Sequence, residues 1–169
     1  NKNISIRLFC EVTLTVGKTI ILKTEQSHYL KNVMRCKINE KILVFDNVTG
    51  EYAAEIINIH KRSVDIEILE KTKTRYVPGD VWLIFCPLKK TRTDFLIEKS
   101  TEIGLRRFLP TFSNKTQTKT ISLNRCRKNI VEAVEQCGGT FIPEILPISS
   151  LAEVIEELPK DRILIFCDE

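Results

Sequence analysis

Val81 to Cys86 reads VWLIFC, an unbroken apolar run. A strand that is apolar at every position has to be covered on both faces, which calls for helices packed on either side of a mostly parallel sheet. The segments that follow suit this. A helical stretch leads to Gly104, which fits a C-cap, and Phe108 to Phe112 reads as a strand. Leu123, Cys126, Ile130, Val134 and Cys137 recur at helical spacing until Gly138-Gly139 stops them. Ser150 with Glu153 makes a capping box for a helix over Leu151 to Leu158, and Ile163 to Cys167 (ILIFC) is expected to be a second buried strand. Strand, helix, strand, helix, helix, strand is the order of an α/β layered domain with a parallel sheet.

The chain before this domain has a different texture. Arg7 to Val12 and Thr19 to Leu22 are short β-prone runs separated by Gly17. Lys41 to Phe45 follows, then the turn-rich Asp46-Asn47-Val48-Thr49-Gly50, then Tyr52 to Ile59 and Val64 to Leu69. Val64, Ile66 and Ile68 alternate with acidic residues, as in a half-buried strand. One helix interrupts the set, with Thr24 as its cap and Leu30, Val33 and Met34 as its apolar stripe. Five strands with one short helix predict a small barrel. The polar stretch Lys71 to Gly79 holds the first proline and marks the boundary, so two domains are expected, over residues 1–72 and 73–169.

Charge separates the parts further. Residues 1–72 carry 11 basic and 9 acidic groups, residues 73–128 carry 13 and 4, and residues 129–169 carry 2 and 9. The excess in the middle segment points to a polyanion, most naturally a nucleic acid. The plainer reading is that the basic middle pairs with the acidic end. Other classes are poorly supported. No uncharged apolar run reaches the length of a bilayer span, and NKNISIR lacks the apolar core of a secretory signal. There is no GxGxxG or P-loop. Six scattered cysteines without a CxxC read as reduced, cytosolic thiols filling apolar positions, and no metal site is expected. The chain begins without methionine and stops at Cys167-Asp168-Glu169, just after a predicted strand and about where a ligand edge should begin, which suggests a fragment.

Three groups of residues are candidates for chemistry. On a helix, His28, Lys31 and Arg35 would share one face and grip phosphates, or simply form a solvated face. Arg7, one pleat from Phe9, would hold a phosphate beside a stacked base, or be a surface arginine beside a core ring. Lys89, Lys90 and Arg92 lie where the buried strand gives way to the helix, a good place for a phosphate grip and a poor one for helix stability. In that helix Asp94, Glu98 and Glu102 recur every four residues and pair with Lys99 and nearby arginines, or Glu102 orients a substrate-binding lysine. Arg106, Arg107, Lys115, Lys119, Arg125, Arg127 and Lys128 extend the basic track. Gln136, at a helix end beside two glycines, would read a base edge, hold a loop carbonyl or be a surface glutamine.

Arg7-Leu8-Phe9, the stretch His28-Tyr29-Leu30 to Val33-Met34-Arg35, Lys89 through Lys99 to Glu102-Ile103-Gly104, Pro110, and Ala133 to Gly138 followed by Pro143-Glu144 together resemble the bacterial ribosomal RNA small subunit methyltransferase E family, uracil-N3 methyltransferases of the SPOUT class. The resemblance covers essentially the whole chain. It implies an N-terminal PUA-like barrel for RNA binding and then a SPOUT α/β domain with a trefoil knot. It also implies S-adenosylmethionine as methyl donor, small-subunit ribosomal RNA as substrate, a homodimer and a cytoplasmic setting. On this reading Arg7, His28, Lys31 and Arg35 meet RNA from the barrel and Lys89, Lys90, Arg92 and Lys99 from the second domain, with Glu102 and Gln136 as organisers. Two departures stand out. Gly139 replaces the family's arginine, and the glycine-rich GPEGG segment and the later Leu-Gly turn are absent. The chain is therefore expected to hold the RNA-binding half and the start of the catalytic domain, with the cofactor site mostly after Glu169 and no activity alone. A non-catalytic RNA-binding module is the main alternative, and a domain docking an acidic protein a third.

Overall fold

The computed structural model describes residues 6–116 and 119–167. Asp168 and Glu169, at the predicted ligand edge, lie outside them. By its internal contacts the chain forms two compact units: one holds the chain up to Gly79 together with Ile130–Ile142, the other Asp80–Asn129 and the chain from Pro143 on.

In the first unit all five expected strands form: β1 (Arg7–Phe9), β2 (Thr19–Ile21), β3 (Lys41–Phe45), β4 (Gly50–Ile59) and β5 (Val64–Thr74). They make one mixed sheet in the order β1-β3-β4-β5-β2, with β1 parallel to β3 and the other pairs antiparallel. Period-two alternation sends Val64, Ile66 and Ile68 inward, where Ile66 meets Ile56 and Ile68 meets Ala54 across the ladder. Leu8, Leu14, Leu22, Leu30, Ile42 and Val44 complete this core. Gly50 is a forced choice: its φ is +122°, and a Cβ there would meet the carbonyl oxygen of Lys73.

The Asp46 turn is tied by its carboxylate. Oδ2 accepts from the Leu14 N–H (2.7 Å) and the Thr49 hydroxyl (2.6 Å), and Oδ1 from the Val48 (2.8 Å) and Thr49 N–H groups. Burial by itself would raise the pKa of this acid, but the bonds from Thr49, Leu14 and Val48 outweigh it and hold the group below its ordinary value. A lowered folded-state pKa gives stability that is present above the unfolded carboxylate's pKa, about 3.9, and is lost as the pH falls towards the folded value. Asp46→Asn is expected to cost about 2–4 kcal/mol at pH 7. It should also flatten the acid side of a melting-temperature profile between about pH 5 and pH 2.

The predicted helix is replaced by two shorter pieces, α1 (Thr24–His28) and a π-helical turn over Tyr29–Val33. Its cap position falls on Lys23 rather than Thr24. The wider π turn changes the angle per residue, and Arg35 lies beyond it in the left-handed region, with φ 54°. The single face expected for His28, Lys31 and Arg35 is therefore broken.

The second unit is α/β: β6 (Trp82–Phe85), α2 (Lys90–Glu102), β7 (Arg107–Phe112), the first half of α3 (Leu123–Cys137), β8 (Glu144–Ile145), β9 (Ser149–Ser150) and α4 (Leu151–Glu157). The sheet is wholly parallel, with β6 on one side of β7, and β8 and β9 pairing with it in turn. Pro147, which has no N–H to give a ladder, lies between these last two short strands. The Ser150–Glu153 capping box forms as expected, and Gly104 closes α2 with φ 89°.

Two expectations are corrected. β6 is half-buried at every position, because β7 is its one strand partner and it forms a sheet edge among the described residues. Ile163–Cys167 is not a strand: no described strand pairs with it, and Ile163, Leu164, Ile165 and Phe166 are 55–91% exposed. Apolar, β-branched composition marks a segment able to enter a sheet, but pairing decides whether it does.

Among the described residues no helix is long and apolar enough to cross a membrane, and no three His, Cys, Asp or Glu side chains gather as a metal site. All six cysteines are unpaired. Burial, helped by Asp46 and Glu135, pushes the Cys10 thiol up to about 12, so it packs as an inert apolar group.

Candidate functional site

In a parallel sheet every strand delivers its following loop to the same edge. The loop after β6 enters α2 through Leu88 and Lys89. Buried Thr93 fixes that entry: its hydroxyl accepts from the Leu88 N–H (2.9 Å) and donates to the Leu88 carbonyl (3.1 Å). Lys89 stands at the cap position, and the first turn contains no acid. Lys89, Lys90 and Arg92 are all exposed there. The loop after β7 brings Lys115 and Lys119 to the same edge, and Lys119 Nζ lies 5.7 Å from the Phe112 ring centre. Residues 86–92 and 113–122 contain no carboxylate at all. The positive end of the α2 dipole adds to this field, so the edge is built for an anion and at some cost to the helix. Beside it lies an open groove of about 650 Å³, lined by Leu88, Thr91, Arg92, Phe95, Leu96, Lys99 and Ser100.

Lys99 does not add to the grip. Its ammonium donates to both oxygens of Glu102 (2.8 and 3.1 Å) and lies 2.9 Å from Glu98. The hydrogen bond to Glu102, then that to Glu98, raises its pKa. Two carboxylates around one cation leave the spot net negative. Glu102 is exposed on the surface, holding Lys99.

Other cations lie at the opposite edge, where the parallel strands start. Trp82 there has Arg162 at 3.6 Å and Arg107 at 4.2 Å from its ring centre, and its indole N–H donates to Asp80 (2.8 Å). Asp80 pairs with Arg162 (2.6 Å) and Arg106 (3.4 Å), and the bond from Arg162 first, then that from Trp82, holds its pKa below the ordinary value. Arg107 meets Glu144 at 2.8 Å. On the carboxyl side, Arg125 in the first turn of α3 bonds Asp94 in the second turn of α2. The expected basic track is thus divided, and Arg106, Arg107 and Arg125 are spent on nearby carboxylates. Arg107–Glu144 joins a cation of the basic middle segment to the acidic end, and Arg162–Asp80 joins the same two segments with the charges reversed.

The first unit places its candidates separately. Arg7 is buried, with its side chain 8% exposed. Its Nε donates to Glu51 (2.5 Å), and its two terminal nitrogens donate to the carbonyls of Val134 (2.7 Å) and Gly139. The guanidinium lies 4.0 Å from the Phe45 ring centre. A cation so enclosed holds the fold and presents no face to a phosphate. His28 is exposed. Lys31 reaches across to the carbonyls of His60 (3.1 Å) and Lys61 (2.9 Å). Gln136 is exposed, while its neighbour Glu135 accepts from the Phe9 N–H (2.8 Å). Burial raises the Glu135 pKa, and the Phe9 bond works against the rise. Gln26 donates to the Phe9 carbonyl (2.7 Å), so both backbone groups of Phe9 are held by side chains.

Sequence reasoning missed Glu51 and the hold of Glu135 and Gln26 on the Phe9 backbone. A signal existed for the first: Glu51 is the second residue of a strand that continues through apolar Tyr52, Ala53 and Ala54, and Arg7 is the charge in an otherwise apolar β1.

The family model described as RNA methyltransferase domain matches residues 75–169, and that described as RNA methyltransferase PUA domain matches residues 22–69. The chain is 30% identical to the ribosomal RNA small subunit methyltransferase E of Buchnera aphidicola subsp. Acyrthosiphon pisum, over 98% of this chain and 68% of that protein. To the Rickettsia conorii protein of the same name it is 26% identical, over 96% and 66%. The crystal structure of the Neisseria gonorrhoeae protein of that name, bound to S-adenosyl methionine, superposes with a TM-score of 0.84 at 27% identity, over 92% of this chain and 66% of that one. A putative methyltransferase from Legionella pneumophila, also bound to that cofactor, matches in fold, with a TM-score of 0.84 at 24% identity over 92% and 67%. The chain spans about two thirds of the length of these relatives.

Proposed function

We propose, for a chain that belongs to the RNA methyltransferase family and carries that family's PUA domain ahead of its methyltransferase domain, that it serves the S-adenosylmethionine-dependent methylation of uracil N3 in small-subunit ribosomal RNA. The observation that carries this reading is the carboxyl edge of the parallel sheet, where Lys89, Lys90 and Arg92 at the start of α2 and Lys115 and Lys119 in the loop after β7 stand on segments, residues 86–92 and 113–122, that hold no carboxylate. Such an edge holds a polyanion at the place where α/β sheets bind ligands. Uracil N3 takes part in base pairing, so the target base must be unpaired or flipped out before it reacts, and the phosphates flanking it are what this edge would hold.

S-adenosylmethionine supplies the methyl group in this reading. Its sulfonium and amino groups are cationic. The groove along α2 offers Arg92, Lys99 and apolar carbon, with no carboxylate in its lining. The lining of this groove does not fit those cationic groups, and no residue is assigned to the cofactor.

The proposal divides the chain into RNA binding over residues 1–72 and methyl transfer over 73–169. It includes a homodimer in the cytoplasm, for which exposed Leu88, Phe95 and Ile103 on and around α2 offer apolar surface to bury. Disrupting the gene for this chain is expected to abolish N3-methyluracil from 16S ribosomal RNA, read by nuclease digestion and mass spectrometry, and a wild-type copy should restore it. Unchanged modification with intact ribosomal RNA binding would favour the non-catalytic module instead.

A further inference from the structure

Residues 24–35 take a form that their own side chains do not favour. Leu30, Val33 and Met34 recur as the stripe of a continuous α-helix. Instead α1 stops at His28 and the π turn over Tyr29–Val33 follows, with the Met34 N–H donating to the Tyr29 carbonyl five residues back (2.9 Å). Of the stripe, Leu30 alone is buried, while Val33 is 59% and Met34 39% exposed. The Cys36 N–H closes the end on the Leu30 carbonyl (2.9 Å), and Arg35 between them is left-handed at a place where helices usually set a glycine. Apolar side chains in water and a left-handed arginine are local costs, so a group outside the segment must hold it.

Lys31 reaches such a group. From the middle of the π turn its ammonium donates to the carbonyls of His60 (3.1 Å) and Lys61 (2.9 Å), in the turn between β4 and β5. That turn is itself closed, since the His60 N–H donates to the Ser63 carbonyl (2.8 Å) and His60 Nε2 lies 2.9 Å from Asp65 Oδ2. One side chain therefore ties the wide turn to a fixed hairpin.

We propose that residues 24–35 are a two-register element. The π register is pinned by Lys31 to the β4–β5 turn. A continuous α register is entered when that bridge opens, and it carries Val33 and Met34 round towards the Leu30 side. In the α register His28, Lys31 and Arg35 stand at i, i+3 and i+7 and share one face, whereas the π register disperses them. The Lys31 bridge thus decides whether this surface of the first unit assembles a cationic face. The device is independent of the methyltransferase reading.

The test is nuclear magnetic resonance on the whole chain. The wild type should show the contact between the Tyr29 α-proton and the Met34 amide that the wider turn creates, with the backbone shifts of a left-handed residue at Arg35. Lys31→Met keeps the stem and removes the donors. It should lose that contact, gain the Leu30 to Met34 contact of an α-helix, and reduce the broadening of the Val33 methyls by a soluble paramagnetic probe. Deleting Asn32, which is exposed, removes the extra residue of the wide turn. The shortened chain should stay folded and show unbroken α-helical contacts through the segment. If Lys31→Met keeps the Tyr29–Met34 contact with Arg35 still left-handed, the bridge does not hold the turn and the proposal fails. If either variant loses the amide signals of β4 and β5, the fold tolerates no α register, and the proposal fails on that ground.

Discussion

Arg7→Ala is expected to lower stability by about 3–5 kcal/mol, measured by urea or thermal unfolding. The substitution removes more than one bond. Glu51, 1% exposed, would be left with only the Thr72 hydroxyl at 2.9 Å and Lys73 at 3.7 Å as partners. The carbonyls of Val134 and Gly139 would lose their donor, and Phe45 the cation beside its ring. Arg7→Lys should recover little, because one ammonium cannot serve a carboxylate and two separate carbonyls as the planar fork does. Arg7→Ala combined with Glu51→Ala should cost less than the two single changes added together, since the double variant leaves no stranded buried charge. A loss below 1 kcal/mol for Arg7→Ala would mean that this residue is not the clamp of the first unit.

The second large effect runs the other way for stability. Changing Lys89, Lys90 and Arg92 together to alanine should reduce affinity for ribosomal RNA on the order of 100-fold at about 0.1 M salt and lower the salt slope by about 2. The same change should leave stability unaltered or raise it by a few tenths of a kcal/mol per site, because three cations at the start of α2 oppose the helix dipole. Weaker binding with equal or greater stability marks residues kept for function. Unchanged affinity and slope would remove the phosphate grip.

These two outcomes separate arginines and lysines that look alike along the chain. Exposure, which sequence does not record, divides them. Arg7 is enclosed by groups from β4 and from the end of α3. Arg106, Arg107 and Arg125 are consumed by Asp80, Glu144 and Asp94. Lys89, Lys90 and Arg92 remain open to an anion. The basic excess of residues 73–128 was legible in the sequence, but its division between two edges of the parallel sheet was not. Loops near one another in the chain go to opposite edges depending on whether they precede or follow a strand.

The sequence by itself determined the elements whose causes are local. Alternation set β4 and β5, helical spacing set α3, Ser150 with Glu153 started α4, and Gly104 ended α2. Each of these depends on residues a few positions apart, and a period or a cap is visible at that range. The tertiary structure alone decided which groups meet across the chain. It set Arg7 against Glu51, 44 positions away, and against carbonyls 127 and 132 positions away, turned the middle of the first helix into a π turn, and left Ile163–Phe166 unpaired among the described residues. The physical reason is that burial and pairing are properties of neighbours in space, and charge, apolarity and propensity read along a chain do not say who those neighbours are.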